Sequence, residues 1–162
     1  MVFRKYIDEF LDDFFKACET VDYSELTKFS QLISLKQIHN EKILIFGNGG
    51  SATIASHFST DLIRAANVRA LNFNEASLIT CFSNDFGYEE WVSEAIKVHA
   101  DEKDLIILIS SSGNSLNMVN AARLCKSRGL DLVTFTGFSS RNKLREFGNL
   151  NFWVESENYN VV

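Results

Sequence analysis

Proline is absent from all 162 residues. Turns therefore fall to Gly, Asn, Asp and Ser, which tolerate turn angles or hydrogen-bond their own backbone. Cysteine is scarce. Cys18, Cys81 and Cys125 stand far apart, and none forms a C-x-x-C pair. An odd, scattered set argues against a disulfide framework and reads as reduced, buried thiols of a cytosolic protein. Excess positive charge is lacking too. A formal net charge of −5 argues against a duplex nucleic-acid binder, which normally shows a basic face. It leaves room for a small anionic ligand, because backbone dipoles bind phosphate without added Lys or Arg. Long apolar runs are missing: Leu105 to Ile109 is far too short to span a bilayer. Met1 to Lys16 mixes Asp and Glu among its apolar residues, so no signal peptide is expected. The expectation is a cytoplasmic protein with neither membrane nor nucleic acid as partner.

Apolar residues are plentiful. They make up 46% of the chain and include 14 Phe, enough to build the core of one domain and to exclude disorder. Phe3 to Glu19 carries Tyr6, Ile7, Phe10, Leu11, Phe14, Phe15 and Cys18 at helical spacing. A second helix, capped by Asp22 or Ser24, has its stripe at Leu26, Phe29, Ile33 and Leu35 or Ile38. A sheet face or another subunit must cover these stripes. From Lys42 the pattern changes. Ile43 to Phe46, Val68 to Phe73, Leu105 to Ile109, Leu130 to Phe135 and Leu150 to Val154 read as strands. Helices are expected at Ser51 to Ala65, Glu75 to Phe82, Tyr88 to His99 and Leu116 to Arg128, the last stopped by Gly129. Asn142 to Phe147 reads as a short helix. The alternation predicts an α/β fold, a doubly wound parallel sheet in three layers. The domain runs over 1–162, with two packing helices in 1–40 and the α/β core in 41–162.

Two loops stand out. Gly47-Asn48-Gly49-Gly50-Ser51 and Ser110-Ser111-Ser112-Gly113-Asn114-Ser115 each follow an apolar strand and open a helix. Ligands of open parallel sheets sit beyond the carboxyl ends of the strands. Gly lets backbone N–H groups approach an anion, and clustered hydroxyls at a helix N-terminus suit the acceptor oxygens of a phosphate. The plain alternative is that Gly and Ser only make turns and caps. A P-loop is excluded because no Gly-Lys-Ser/Thr follows. A dinucleotide fingerprint fits poorly, since Gly47-x-Gly49 lacks its third Gly.

Taken in order, Gly47 to Ser51, His57-Phe58, Asn84-Asp85-Phe86-Gly87-Tyr88, Ser110 to Ser115 and Thr134-Phe135-Thr136-Gly137 resemble the SIS (sugar isomerase) domain family, closely its phosphoheptose isomerases. The resemblance implies a flavodoxin-like fold and interconversion of sedoheptulose 7-phosphate and D-glycero-D-manno-heptose 7-phosphate through an enediol. Heptose supply for lipopolysaccharide or capsule is the implied purpose. It implies phosphate binding by Ser51, Ser110, Ser111, Ser112 and Ser115 beside Gly49 and Gly50, and sugar contacts by Asn48 and Asp85. It also implies a homotetramer with sites between subunits, which the two leading helices help to build.

An aldose–ketose isomerase needs a base near the C–H and an acid near the oxygen, each contributing roughly 10²–10⁴-fold. The family places a Glu four residues after the His of the first core helix. Here that position is Asp61, after His57. Asp is one methylene shorter, which sets its carboxylate back by ~1.5 Å, and a misplacement of about that size can cost on the order of 10²-fold. His57, Asp61 and Arg64 share one helix face, beside an apolar stripe of Ile54, Phe58 and Leu62. Some family members bind zinc through this His and carboxylate, so His57 and Asp61 are the candidate metal ligands. No cofactor is required by the sequence. The family's final helix carries the second catalytic His with a Gln or Glu. The sequence ends at Tyr159-Asn160-Val161-Val162, where that helix should begin, so it is expected to be absent.

His39 and His99 match no family site and are expected in solvent. The same holds for Lys126, Arg128, Arg141, Lys143 and Arg145. Trp91 and Trp153 are expected in core or interface, and Glu89-Glu90 at a helix start, where the acids complement the dipole. Two functions compete: a sugar-phosphate isomerase, and a non-catalytic module that binds a sugar phosphate or, as with an initiator-associating relative, a protein. A remnant with an incomplete site is the third reading.

Overall fold

The core strands are short apolar runs because both of their faces are covered. The computed structural model describes residues 2–162. Helices α1 (Val2–Glu19) and α2 (Tyr23–Ile38) lead into β1 (Lys42–Gly47), α3 (Gly50–Ala66), β2 (Arg69–Asn72), α4 (Ala76–Phe86) and α5 (Trp91–His99). There follow β3 (Leu105–Ser110), α6 (Leu116–Arg128), β4 (Asp131–Thr136), a 3-10 turn at Lys143–Glu146 and β5 (Leu150–Trp153). All pairings are parallel, in the order β2-β1-β3-β4-β5. This is the flavodoxin-like order of a doubly wound sheet, as expected. Among the described residues no helix follows β5.

Strand alternation sorts the core into two layers. Ile43, Ile45, Ile107, Ile109 and Val133 pack with Phe29 of α2 and with Ala55 and Leu62 of α3. Leu44, Phe46, Ile106, Leu108 and Leu132 pack with Trp91 and Ile96 of α5 and Met118 and Cys125 of α6. The expected elements all form, with one informative shift at α4. It runs on to Phe86, where Phe82 and Phe86 meet edge to face 5.9 Å apart, before Gly87 ends it. Asn84 and Asp85 therefore belong to a helical turn.

Ion pairs hold α2 and the start of β1. The Lys36 ammonium of α2 is buried and reaches Asp131 at 2.7 Å, Glu41 at 3.1 Å and the Lys103 carbonyl at 2.6 Å. Burial alone would lower its pKa, but hydrogen bonds to the two carboxylates outweigh this and hold it above the usual lysine value. Lys42 behaves alike: burial opposes its charge, while Asp101 and Asp104 raise its pKa. Asp104 is itself buried and accepts the Lys42 backbone N–H at 2.7 Å.

The helix α1 is different. Phe3 is 84% exposed, and Tyr6, Ile7, Leu11, Phe14 and Phe15 are exposed with it. Its stripe is left uncovered by the rest of the chain, whereas Phe29 anchors α2 against Phe58, Phe135 and Phe152. This position also corrects the expectation of three buried thiols. Cys18 on α1 and Cys81 on α4 are exposed. Only Cys125 is buried, and burial pushes its pKa up to about 12. The basic residues are not all simply solvated. Arg128 donates to the Ile96 and Ala100 carbonyls, Arg145 lies over the Trp153 ring, and Lys126 over Phe147. His99, though exposed, packs against Phe73 at 4.9 Å.

Lys36→Met removes the charge but leaves Glu41 and Asp131 without their cation. Asp131 is half exposed and reaches water, so the expected loss in urea unfolding is about 1–3 kcal/mol, below the 3–5 of a fully buried pair. The raised lysine pKa values stabilise the fold below the unfolded value of about 10.4. That contribution is lost as pH rises through the folded values. Thermal midpoints measured across this range should fall more steeply for the wild type than for Lys36→Met.

Candidate functional site

Backbone pairing sets Gly47, the last residue of β1, level with Ile109 of β3. After β1 the chain crosses to β2 on one side. After β2 it crosses to β3 on the other. The carboxyl ends of β1 and β3 therefore flank the point where strand order reverses, the usual ligand crevice of such sheets. Both loops open there, side by side.

The first loop turns tightly. A Cβ on Gly47 would overlap the backbone of Ser51 and Ala52, so only glycine lets the strand meet the helix so closely. Ser51 is buried and donates its N–H to the Asn48 carbonyl at 3.0 Å. The second loop is clamped from behind. Gly113 has φ +62°, and a Cβ there would overlap the Asn142 side chain. Asn142 is itself buried and donates to the Thr136 hydroxyl and the Ser139 carbonyl. The Gly113 carbonyl accepts from Leu144, and the Ser111 carbonyl accepts from Gly137 at 2.9 Å. The Ser110 hydroxyl accepts the Gly113 N–H and lies 3.4 Å from the Ser115 hydroxyl.

Between the loops lies a cavity of about 170 Å³. Asn48, Ser51, Ile109, Ser110, Ser111, Ser112 and Ser115 line it, with Phe138 and Tyr159 as a further wall. No charged side chain is in that lining. The first N–H groups of a helix have no intrahelical partner. At α2 the Asp22 carboxylate accepts two of them, from Ser24 and Glu25, but α3 and α6 have no side-chain cap. Two uncapped helix N-termini and the serine hydroxyls supply donors and partial positive charge, a setting for an anion.

The sequence-selected serines and Asn48 thus come together. Gly49 and Gly50 form the exposed lip of the first loop, and Gly50 lies near the Tyr159 hydroxyl. Asp85 and Asp61 stay outside the lining. Asp85 is exposed on the last turn of α4 and accepts from Asn84. Asp61 lies ten residues beyond Ser51 on α3, about 15 Å along the helix axis. It pairs with His57, Nε2 to Oδ2 3.4 Å, at a largely exposed position. Among the described residues no three His, Cys, Asp or Glu side chains group closely enough to share a metal ion. Zinc takes three or four protein ligands, so His57 and Asp61 alone do not fit it.

Sequence reading missed Phe138, Tyr159, Asn117 and the clamp role of Asn142. Their spacing carries no signal; only the tertiary fold brings them to the loops. A second cavity, about 370 Å³ and mostly apolar, adjoins the first through Ser111, with Phe29, Phe58, Phe135 and Phe152 in its walls.

Gly113→Ala tests the clamp. A left-handed backbone costs a non-glycine residue about 1–2 kcal/mol, and the overlap with Asn142 adds to it. A stability loss of about 2 kcal/mol or more is expected in denaturant melts. Inorganic phosphate binding, followed by calorimetry, should weaken as the loop shifts.

A model of the SIS domain family matches residues 5–137. The phosphoheptose isomerase of Thermodesulfovibrio yellowstonii is 34% identical over 119 residues, 70% of this chain but 59% of that protein, so the match spans less than two thirds of that relative's length. The phosphoheptose isomerase of Aliarcobacter butzleri is 31% identical over 147 residues, covering 87% of this chain and 77% of the relative. In structure, the phosphoheptose isomerase of Neisseria gonorrhoeae superposes with a TM-score of 0.88 at 21% identity, covering 99% of this chain and 90% of that one. At that identity the likeness speaks for the fold. With the family model and the sequence relatives beside it, this chain belongs to the SIS domain family, in its phosphoheptose isomerase group.

Proposed function

We propose that this chain is a sugar-phosphate isomerase of the phosphoheptose type, interconverting sedoheptulose 7-phosphate and D-glycero-D-manno-heptose 7-phosphate. The observation that carries the reading is the uncharged, hydroxyl-rich cavity between two uncapped helix N-termini. Ser51, Ser110, Ser111, Ser112 and Ser115 bind the phosphate, and Asn48 and Asp85 contact the sugar. Asp61 takes the proton from one carbon and returns it to its neighbour through the enediol, while a proton passes from the adjacent hydroxyl to the carbonyl oxygen.

The distance from Ser51 to Asp61 shapes this reading. A rigid helix keeps the base about 15 Å away along its axis, so Asp61 serves a sugar held by a neighbouring protomer. The uncovered stripe of α1 supplies a surface for such assembly, and a homotetramer is the proposed form. Zinc at His57 and Asp61 would need ligands from outside this protomer's pair. The proposed setting is the cytoplasm and the proposed purpose is heptose for lipopolysaccharide or capsule.

A second reading has its own support. The serine cavity contains no His, Asp or Glu in its lining, which suits a module that binds a sugar phosphate without chemistry. A coupled assay with sedoheptulose 7-phosphate separates the two. The isomerase reading expects turnover by the wild type and a fall of about 10²–10⁴-fold in Asp61→Ala, with binding retained. Binding with no wild-type turnover establishes the non-catalytic reading instead. In both cases Ser112→Ala with Ser115→Ala should weaken phosphate binding by on the order of 10²-fold, the loss of two hydrogen bonds to a charged group. Unchanged affinity in that double variant would remove the cavity as the phosphate site.

A further inference from the structure

Asn117 lies in the first turn of α6 and is 2% exposed. It is not part of the cavity lining, yet its amide closes a ring with that of Asn48, which is. Asn48 Nδ2 donates to Asn117 Oδ1 at 3.0 Å, and Asn117 Nδ2 donates back to Asn48 Oδ1 at 2.9 Å. The Tyr88 hydroxyl donates to the same Asn48 Oδ1 at 3.1 Å. The oxygen of Asn48 thus has both acceptor positions filled, and one of its two N–H groups is used. What remains for the cavity is a single N–H donor. Its natural partner is an acceptor oxygen of the ligand, on the phosphate or the sugar.

The ring also joins chain segments 69 residues apart. Asn48 belongs to the first loop, Asn117 follows the second, and Tyr88 follows α4. An amide without these partners would lose its orientation and pay rotamer entropy on binding. We propose that Asn117 is a positioning residue, holding Asn48 so that its free N–H meets an acceptor oxygen of the bound sugar phosphate. This rests on the sugar-phosphate reading of the cavity.

The test compares wild type, Asn48→Ala, Asn117→Ala, Asn117→Asp and the Asn48→Ala/Asn117→Ala double variant. Calorimetry with sedoheptulose 7-phosphate measures affinity, and the side-chain amide resonances of Asn48 are followed by NMR without ligand. Asn117→Ala should lose about tenfold in affinity, one hydrogen bond's worth, and shift the Asn48 amide resonances toward the free-amide position. Asn117→Asp keeps an acceptor for Asn48 Nδ2 but cannot donate to Asn48 Oδ1, so it should not restore binding. The double variant should bind no worse than Asn48→Ala, because Asn117 acts through Asn48. Losses that add, or Asn48 resonances unmoved by Asn117→Ala, would overturn the proposal. A wild type that does not bind the sugar phosphate would sink the reading of the cavity and the ligand role of Asn48 together. The ligand-free resonances would still decide whether Asn117 holds that amide.

Discussion

Everything at the candidate site depends on the backbone hydrogen bonding between β1 and β3. These two strands are 58 or more residues apart in the chain, yet their register sets Gly47 level with Ile109. A slip of β3 by one residue against β1 would turn Ile107 and Ile109 to the face opposite Ile43 and Ile45. The buried layers on both sides forbid it. The same register brings two loops to the same height at the point where strand order reverses. Without it there are two turns; with it there is one cavity.

The cavity owes its chemistry to what its helices leave undone. Two donors at the start of α2 are taken by Asp22, whereas α3 and α6 begin with no side-chain cap beside the serines. With no side-chain cap there, the positive ends of both helices stay open to an external acceptor. No lysine or arginine stands in the lining. The shape is held from behind, by Asn142 filling the space that a side chain at position 113 would need. The shape of the cavity is thereby set by folding itself.

The parts of the proposed site that lie apart have a physical logic as well. The exposed apolar stripe of α1 and the remoteness of Asp61 from the serine cavity both concern groups that one protomer does not bring into contact. Burying such a stripe in an interface removes apolar area from water, and the same association can carry a carboxylate toward a neighbouring cavity. The chemistry proposed for this chain is therefore coupled to its assembly.

Much of this was legible in the chain itself. Apolar runs at Ile43 to Phe46 and Leu105 to Ile109, the Gly-rich and Ser-rich stretches after them, and the helical stripes are local patterns. Their physics acts over a few residues, so the α/β fold, the loop positions and the serine-rich and glycine-rich character of the candidate cavity follow from sequence. Exposure did not follow: Cys18 and Cys81 are apolar enough to be buried but lie on uncovered helix faces. Nor did the extent of α4, which the Phe82–Phe86 contact prolongs past Asp85. Tertiary structure alone decided that Asn117 pairs with Asn48, that Asn142 braces Gly113, and that Phe138 and Tyr159 wall the cavity. Those contacts join segments tens of residues apart, and no local spacing encodes which distant side chain will fill a given space.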